Sequence, residues 1–452
     1  MRSAWWLLLA LGCARPELEV REVPDLALAR VVVTHLDEAQ PLTVRCVGGG
    51  DDLTRAAPPS ADHELLVAGL LADTTYACTA ELGRAVTEFT FRTDGAPESI
   101  PAVSVTTTGG GSPGYVLVNH SLGRSNGNDP KILIYDTEGA LRWYHHVAGS
   151  PTDLDAQLVD DRVVYGGGYD TRPRVIELDG AEVVEAKASS SGSAHHHHAE
   201  LLRSGELVGM AAAKNEAGGL VWDGFVVDLY DGGDGGLLWT WNSQAAVDQG
   251  ALPVADEAGD DAYHANWVQV TATSLFVNLR QLHRVLKVDR ASGRVLWSLG
   301  VGGDFSLVDP DGAPLPDDEW FYGAHGLDLI DDTLIVYDNG WSRPGADTSR
   351  AVAYTLDEDA RVATRTWSWS GEGWYEPIWG DADLLGDDRV WVTRAHCGDC
   401  DISGGPSSIV EVERGTGDAV WTLTFPRAED SVYRSAHVDG CALFGNTRFC
   451  AP

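Results

Sequence analysis

From about residue 115 the chain repeats one pattern: an apolar run, an acidic or glycine-bearing turn, and a second run that carries tryptophan. It appears as Ile132–Trp143, Phe225–Trp239, Val285–Trp297, Ala353–Trp367 and Ile409–Trp421, with a degenerate copy lacking Trp at Val175–Val184. Each copy has the form of a β-hairpin with an Asp/Gly turn, and its indole is large enough to cover a neighbouring sheet. Copies recurring at roughly 40–70 residues suit four-stranded propeller blades with long insertions between strands. Six copies predict an all-β fold with a six-bladed β-propeller over residues 115–452. A content of 51 glycines and 16 tryptophans, without long amphipathic helical patterns, agrees with turn-rich β-structure.

Ahead of the repeat, residues 19–95 form a separate block of alternating strands, such as Arg30–Thr34 and Leu42–Cys46. The segment Gly69-Leu70-Leu71-Ala72-Asp73-Thr74-Thr75-Tyr76 is similar to the Gly-Leu-x-x-x-Thr-x-Tyr corner of fibronectin type III domains. There a Tyr hydroxyl ties the loop back to the backbone. The expectation is a fibronectin III/immunoglobulin-like β-sandwich over 19–95, then a Gly/Pro-rich linker over 96–114. Residues 1–18 combine a positive start, an apolar run from Trp5 to Leu11, and Gly12-Cys13. This predicts a lipoprotein-type export signal with Cys13 lipidated, hence a periplasmic or cell-envelope protein tethered to a membrane. The apolar run is too short to span a bilayer.

Six further cysteines, Cys46, Cys78, Cys397, Cys400, Cys441 and Cys450, are an even set in an exported chain and predict disulfides. Cys46 pairs with Cys78 inside the first block. The last four form two bridges, a four-cysteine zinc site, or a redox motif at Cys397-Gly-Asp-Cys400; the strand-to-helix context of a redox motif is missing. The net charge of −36 excludes nucleic acid as a partner and argues against charge-driven binding to anionic lipid. An anionic substrate would then need a local pocket of Arg and His.

Such residues occur in four patches in fixed order: Ala194–Leu202 with the run His195-His196-His197-His198, Asp261-Ala-Tyr-His264-Ala-Asn266, Asn278-Leu279-Arg280, and Phe321–Gly326 around His325, followed by Asp338-Asn339-Gly340. None has the spacing of a metal site. In a propeller, side chains from different blades converge at one end of a central channel. In this order the chain resembles the bacterial arylsulfate sulfotransferases, which work without a nucleotide sulfate donor, over roughly residues 115–440. The resemblance places the family's first histidine at His197. His198 then stands where the family has Asp, leaving His196 or His198 as substitutes. Asp261 to Asn266 matches well, Arg280 matches without the preceding Ser, and His325 lies between Ala324 and Gly326 where Gln and Asp are usual. Asp338-Asn339-Gly340 and Ser349–Tyr354 match closely.

The resemblance implies transfer of a sulfuryl group between phenols through a sulfohistidine on His325, which divides one hard step into two symmetrical ones. Arg280, His264, Asn266 and His197 would stabilise the sulfuryl oxygens, with His196, Asn266 and Arg280 among the substrate contacts. Another histidine would protonate the departing phenolate. The partners would be a phenolic sulfate donor and a phenol acceptor, with no cofactor. Two other readings use the same features. One is a propeller scaffold that binds protein or carbohydrate without turnover, with the histidine run a solvated loop and the single histidines structural. The other is a quinone-dependent dehydrogenase, against which stands the lack of adjacent cysteines.

Overall fold

Every copy of the repeat is a hairpin, paired in register: Ile134 with Trp143, Val175 with Val184, Leu229 with Trp239, Lys287 with Trp297, Ala353 with Trp367, and Glu411 with Trp421. The acidic turn residue has a definite task. Asp136 Oδ1 accepts the Glu138 and Ala140 N–H groups at 3.0 and 2.9 Å, closing the turn while Gly139 takes a left-handed φ of 92°. The structure, a computed structural model, describes residues 17–122, 129–149, 153–168, 171–345, 348–371, 373–386, 388–396 and 406–450. Over these the chain is essentially all-β and divides into two compact units, residues 1–96 with 444–448 and residues 97–443 with 449–452.

In the larger unit the six hairpins are the third and fourth strands of six sheets, antiparallel apart from the added parallel strand Ser306–Val308 in the fifth, here I to VI in order of their hairpins. Sheets II to VI take their first strands from the segment just before: Leu154–Val159, His195–Leu201, Ala265–Val270, Leu327–Ile330 and Asp381–Leu385. Sheet I draws its first strand, Ser431–Asp439, from the far end of the sequence and pairs it with Gly114–Ser121. These six first strands contact one another in cyclic order, I with II through to VI with I.

The tryptophans link the same sheets at their outer ends. The indole N–H of Trp143 in sheet I donates to Leu178 O in sheet II at 2.7 Å. Trp241 donates to Gly293 O, Trp297 to Glu358, Trp367 to Arg414 O, and Trp421 to Thr137 O, each from one sheet to the next. The link from sheet II to sheet III is the one for which the repeat supplies no indole. In sheet III the linking residue is Trp241, two positions beyond the repeat's Trp239, whose ring instead lies under the Arg290 guanidinium.

The smaller unit is one connected five-stranded antiparallel sheet built on a long hairpin, Leu26–Gly48 with Asp51–Ala68. The pairing slips around His35 to Leu42, and the strand's two halves recruit different partners there. The expected corner is present: Tyr76 is buried and its hydroxyl accepts the Leu71 N–H at 2.9 Å. Cys46 and Cys78 face each other across neighbouring strands and are disulfide-bonded. Closing a loop with a sequence separation of 32 contributes about 3–4 kcal/mol in the chain-entropy account. Cys46→Ser/Cys78→Ser is therefore expected to lower the denaturant midpoint of this unit, and an unchanged midpoint would refute the estimate. Cys450 is also disulfide-bonded. Cys13, Cys397 and Cys400, and the side chain of Cys441, lie outside the described residues.

Candidate active site

Irregularities in three of the first strands release site residues from the ladder. In sheet III, His195 pairs with Ala211 but Ala199 with Gly209, so the intervening histidines bulge out. In sheet IV the register slips at Asn266, and in sheet I at Tyr433 and Arg434. A bulge gives the strand an extra residue and re-aims its side chains. His197 and His264 also adopt left-handed backbones, φ 63° and 46°, a conformation that costs a non-glycine residue energy and that clusters at functional sites.

The histidine run is a buried strand, not a solvated loop, and its four rings have different partners. His195 bonds the Tyr230 hydroxyl at 2.8 Å. His196 and His197 share a hydrogen bond between their Nδ1 atoms at 2.8 Å, and the His197 ring lies 5.2 Å from that of His264. His198 turns the other way, toward Asp155 at 3.1 Å and Glu200 at 3.7 Å. Burial holds His196 down to about 3 and His197 far below the ordinary imidazole value, so both are neutral. At His198 burial is outweighed by the two neighbouring carboxylates, Asp155 and Glu200, which raise it. Asp261 holds His264 through Nδ1 and the backbone N–H. His196, His197, Asp261 and His264 line a pocket of about 200 Å³ with Ser193, Lys214 and Phe225.

His325 precedes the first strand of sheet V and is buried. Its Nδ1 lies 2.9 Å from Asn339 Oδ1. Asn339 Nδ2 donates to Glu376 O at 2.6 Å and Trp379 O at 2.8 Å, which fixes the amide with its oxygen toward His325. His325 Nδ1 therefore carries the proton, and Nε2 keeps the lone pair. Burial first, then the nearby charge of Arg280, hold His325 well below the usual imidazole range; His264 and Arg434 act in the same sense. Asp338 is structural, accepting the Tyr322 and Gly340 N–H groups and the Arg350 guanidinium.

Arg280 begins the short turn Arg280–Leu282 just after the strand Ser274–Leu279. Its guanidinium lies 4.5 Å from the Trp341 ring centre and donates to Pro377 O at 3.2 Å, while its buried Nε has no hydrogen-bond partner among the described residues. Asn266, expected among the donors to the sulfuryl oxygens, has both ends of its amide engaged. Nδ2 donates to Ala324 O at 2.9 Å, and Oδ1 accepts Asn278 Nδ2 at 2.6 Å. The structure thus groups His196, His197 and His264 around one pocket. His325 and Arg280 lie outside its lining, joined to the group by electrostatic influence and through the Asn266–Ala324 contact.

Sequence reasoning missed Asp155 and Arg434. The alternation Leu154-Asp155-Ala156 offered one signal, since a carboxylate on the buried face of a strand requires a partner. Arg434 had none. Among the described residues no group of His, Cys, Asp and Glu is disposed to hold a metal ion, and no helix is long and apolar enough to cross a membrane.

Neutral imidazoles and guanidinium groups from several sheets of an all-β unit are groups chemically suited to holding a compact anion. Residues 103–434, well over half of the chain, match the Arylsulfotransferase (ASST) family. The chain belongs to that family and is a transferase of sulfur-containing groups. No curated protein matches it. Among solved structures, a protein of unknown function from Bacteroides caccae is 14% identical, covering 72% of this chain and 98% of its own, at a TM-score of 0.47. A putative 6-phosphogluconolactonase from Bacteroides fragilis is 11% identical, covering 89% and 99%, at 0.34. A quinonprotein alcohol dehydrogenase-like protein from Bacteroides thetaiotaomicron is 10% identical, covering 89% and 95%, at 0.35. Likenesses this slight say nothing about function.

Proposed function

We propose that the larger unit is a six-bladed β-propeller that moves a sulfuryl group from a phenolic sulfate ester to a phenol acceptor by a ping-pong route through His325. The cyclic contacts of the first strands and the chain of indole bonds support the propeller reading. The single observation that carries the mechanism is the Asn339 bond, which leaves His325 Nε2 as a neutral, unprotonated nitrogen.

In the first half-reaction the Nε2 lone pair attacks sulfur, the aryl C–O–S linkage breaks at the S–O bond, and the phenolate leaves with its electron pair. His264, oriented by its hydrogen bond to Asp261, supplies the proton. In the second half-reaction the acceptor phenol returns a proton to His264 and its oxygen attacks sulfur. The S–N bond then breaks and frees His325. Arg280, with its unused buried Nε–H, balances charge on the sulfuryl oxygens; Asn266 holds Ala324 and so places His325. This reading includes a fibronectin III-like block over 19–95, a linker over 96–114, and export as a lipoprotein through Cys13.

Mixing the protein with a chromogenic aryl sulfate and no acceptor is the test. The expected result is a burst of about one phenol per site, with one sulfuryl group added to the peptide containing His325. A label on another residue overturns the assignment; no burst and no label favour a binding scaffold.

A further inference from the structure

Arg434 is a buried cation that the mechanism above leaves without a task. It stands in the bulge of Ser431–Asp439, where two residues of that strand, Tyr433 and Arg434, face one, Asn119, on Gly114–Ser121. Its Nη1 meets Asp155 of sheet II at 3.2 Å and lies 3.4 Å from His198 Nδ1 of sheet III. Nη2 donates to Asn266 O of sheet IV at 2.8 Å, and the guanidinium lies 4.8 Å from the Tyr433 ring centre. Its buried Nε has no hydrogen-bond partner among the described residues, a state it shares with Arg280. The contact with Asn266 continues toward the reacting centre, because the Asn266 amide donates to Ala324 O, next to His325. One hydrogen-bonded path therefore runs from sheet I through sheet IV to the nucleophile of sheet V. On its other side Arg434 borders a cavity of about 520 Å³ lined by Asp155, Glu200, Asp328, Asp381 and Asp383.

We propose that Arg434 is a positioning residue of the transfer site: it ties Asn266, and through it Ala324 and His325, to Asp155, and it is the second fixed cation acting on His325. A single arginine in the first strand of sheet I thus bears on the place of the nucleophile and adds to the burial and the Arg280 charge that oppose its protonation. The groups acting on His325 are Arg280, His264, Arg434 and its bond partner Asn339, and His197 is coupled to it in turn. Those acting on Arg434 are Tyr433, Asp155 and Asp381, with His198 beside it. A positive charge near an imidazole disfavours its protonation.

The inference rests on the sulfohistidine reading, and the test separates the two. Arg434→Met and Arg434→Lys would be compared with wild type for sulfuryl label formation and for the pH profile of kcat/KM. Arg434→Met is expected to lose about 100-fold in kcat/KM, the scale of a small misplacement of a reacting group, and its acidic limb should move to higher pH. Arg434→Lys, which keeps the charge but not the forked donor, should leave the limb in place and lose at least about tenfold in rate. A loss in Arg434→Met with no movement of the limb overturns the proposal, because a merely structural role predicts that outcome. Equal movement in both variants overturns it too. Should Arg434→Met not fold, the Lys variant decides: a wild-type rate refutes the proposal. If wild type forms no label at all, the sulfohistidine reading falls, and this inference falls with it.

Discussion

His325→Ala is expected to abolish transfer between phenols, with turnover reduced by about 10⁴-fold or more, the scale seen when a covalent nucleophile is removed. No other imidazole is prepared for its role. His264 is held at Nδ1 by Asp261, His196 and His197 are bonded to each other, and His198 faces Asp155. At His325 the Asn339 side-chain amide fixes the tautomer while the surroundings oppose protonation. The folded-state value lies below the ordinary 6.5, so the ring stays neutral as pH falls through that value. The acidic limb of wild-type kcat/KM is therefore expected below 6.5. Stopped-flow release of phenol and mass analysis of quenched protein measure both expectations. Turnover at the wild-type level in a folded His325→Ala protein would end the mechanism.

Arg280→Ala is expected to lose about 100- to 1000-fold in kcat, equivalent to roughly 2.7–4 kcal/mol of transition-state stabilisation, as for one preorganised donor. The guanidinium is buried against Trp341, so its charge is poorly screened, and its Nε–H is already desolvated without a hydrogen-bond partner among the described residues. That arrangement favours a group whose negative charge grows or shifts during the reaction. Arg280→Lys should recover little, because an ammonium reproduces neither the planar stacking on Trp341 nor the forked donors. Burst amplitude should persist in Arg280→Ala while the burst slows. Unchanged burst rate would show that Arg280 acts only in holding the turn to Pro377.

The all-β class was legible because the hairpin is a local object. An apolar run, an Asp/Gly turn and a Trp-bearing run specify pairing within a dozen residues, and all six hairpins lie where that pattern placed them. His197, His264, Arg280 and His325 were legible as candidates through their order and through resemblance. Their partners were not. Asn339 fixes the tautomer of His325 because its amide also meets Glu376 O and Trp379 O, some forty residues further on. Arg434 reaches Asp155, His198 and Asn266 across more than 160 positions of sequence.

The division follows from range. Hairpin pairing, the corner at Tyr76, and the acidic turns depend on neighbours along the chain, and the sequence by itself determined them. Which of four consecutive histidines faces the pocket depended on a bulge between His195 and Ala199. Charge state and tautomer depended on burial and on donors brought from other sheets. Those quantities exist only once distant strands share a dry interior, where one carboxylate or one guanidinium shifts a proton that solvent would otherwise leave in place.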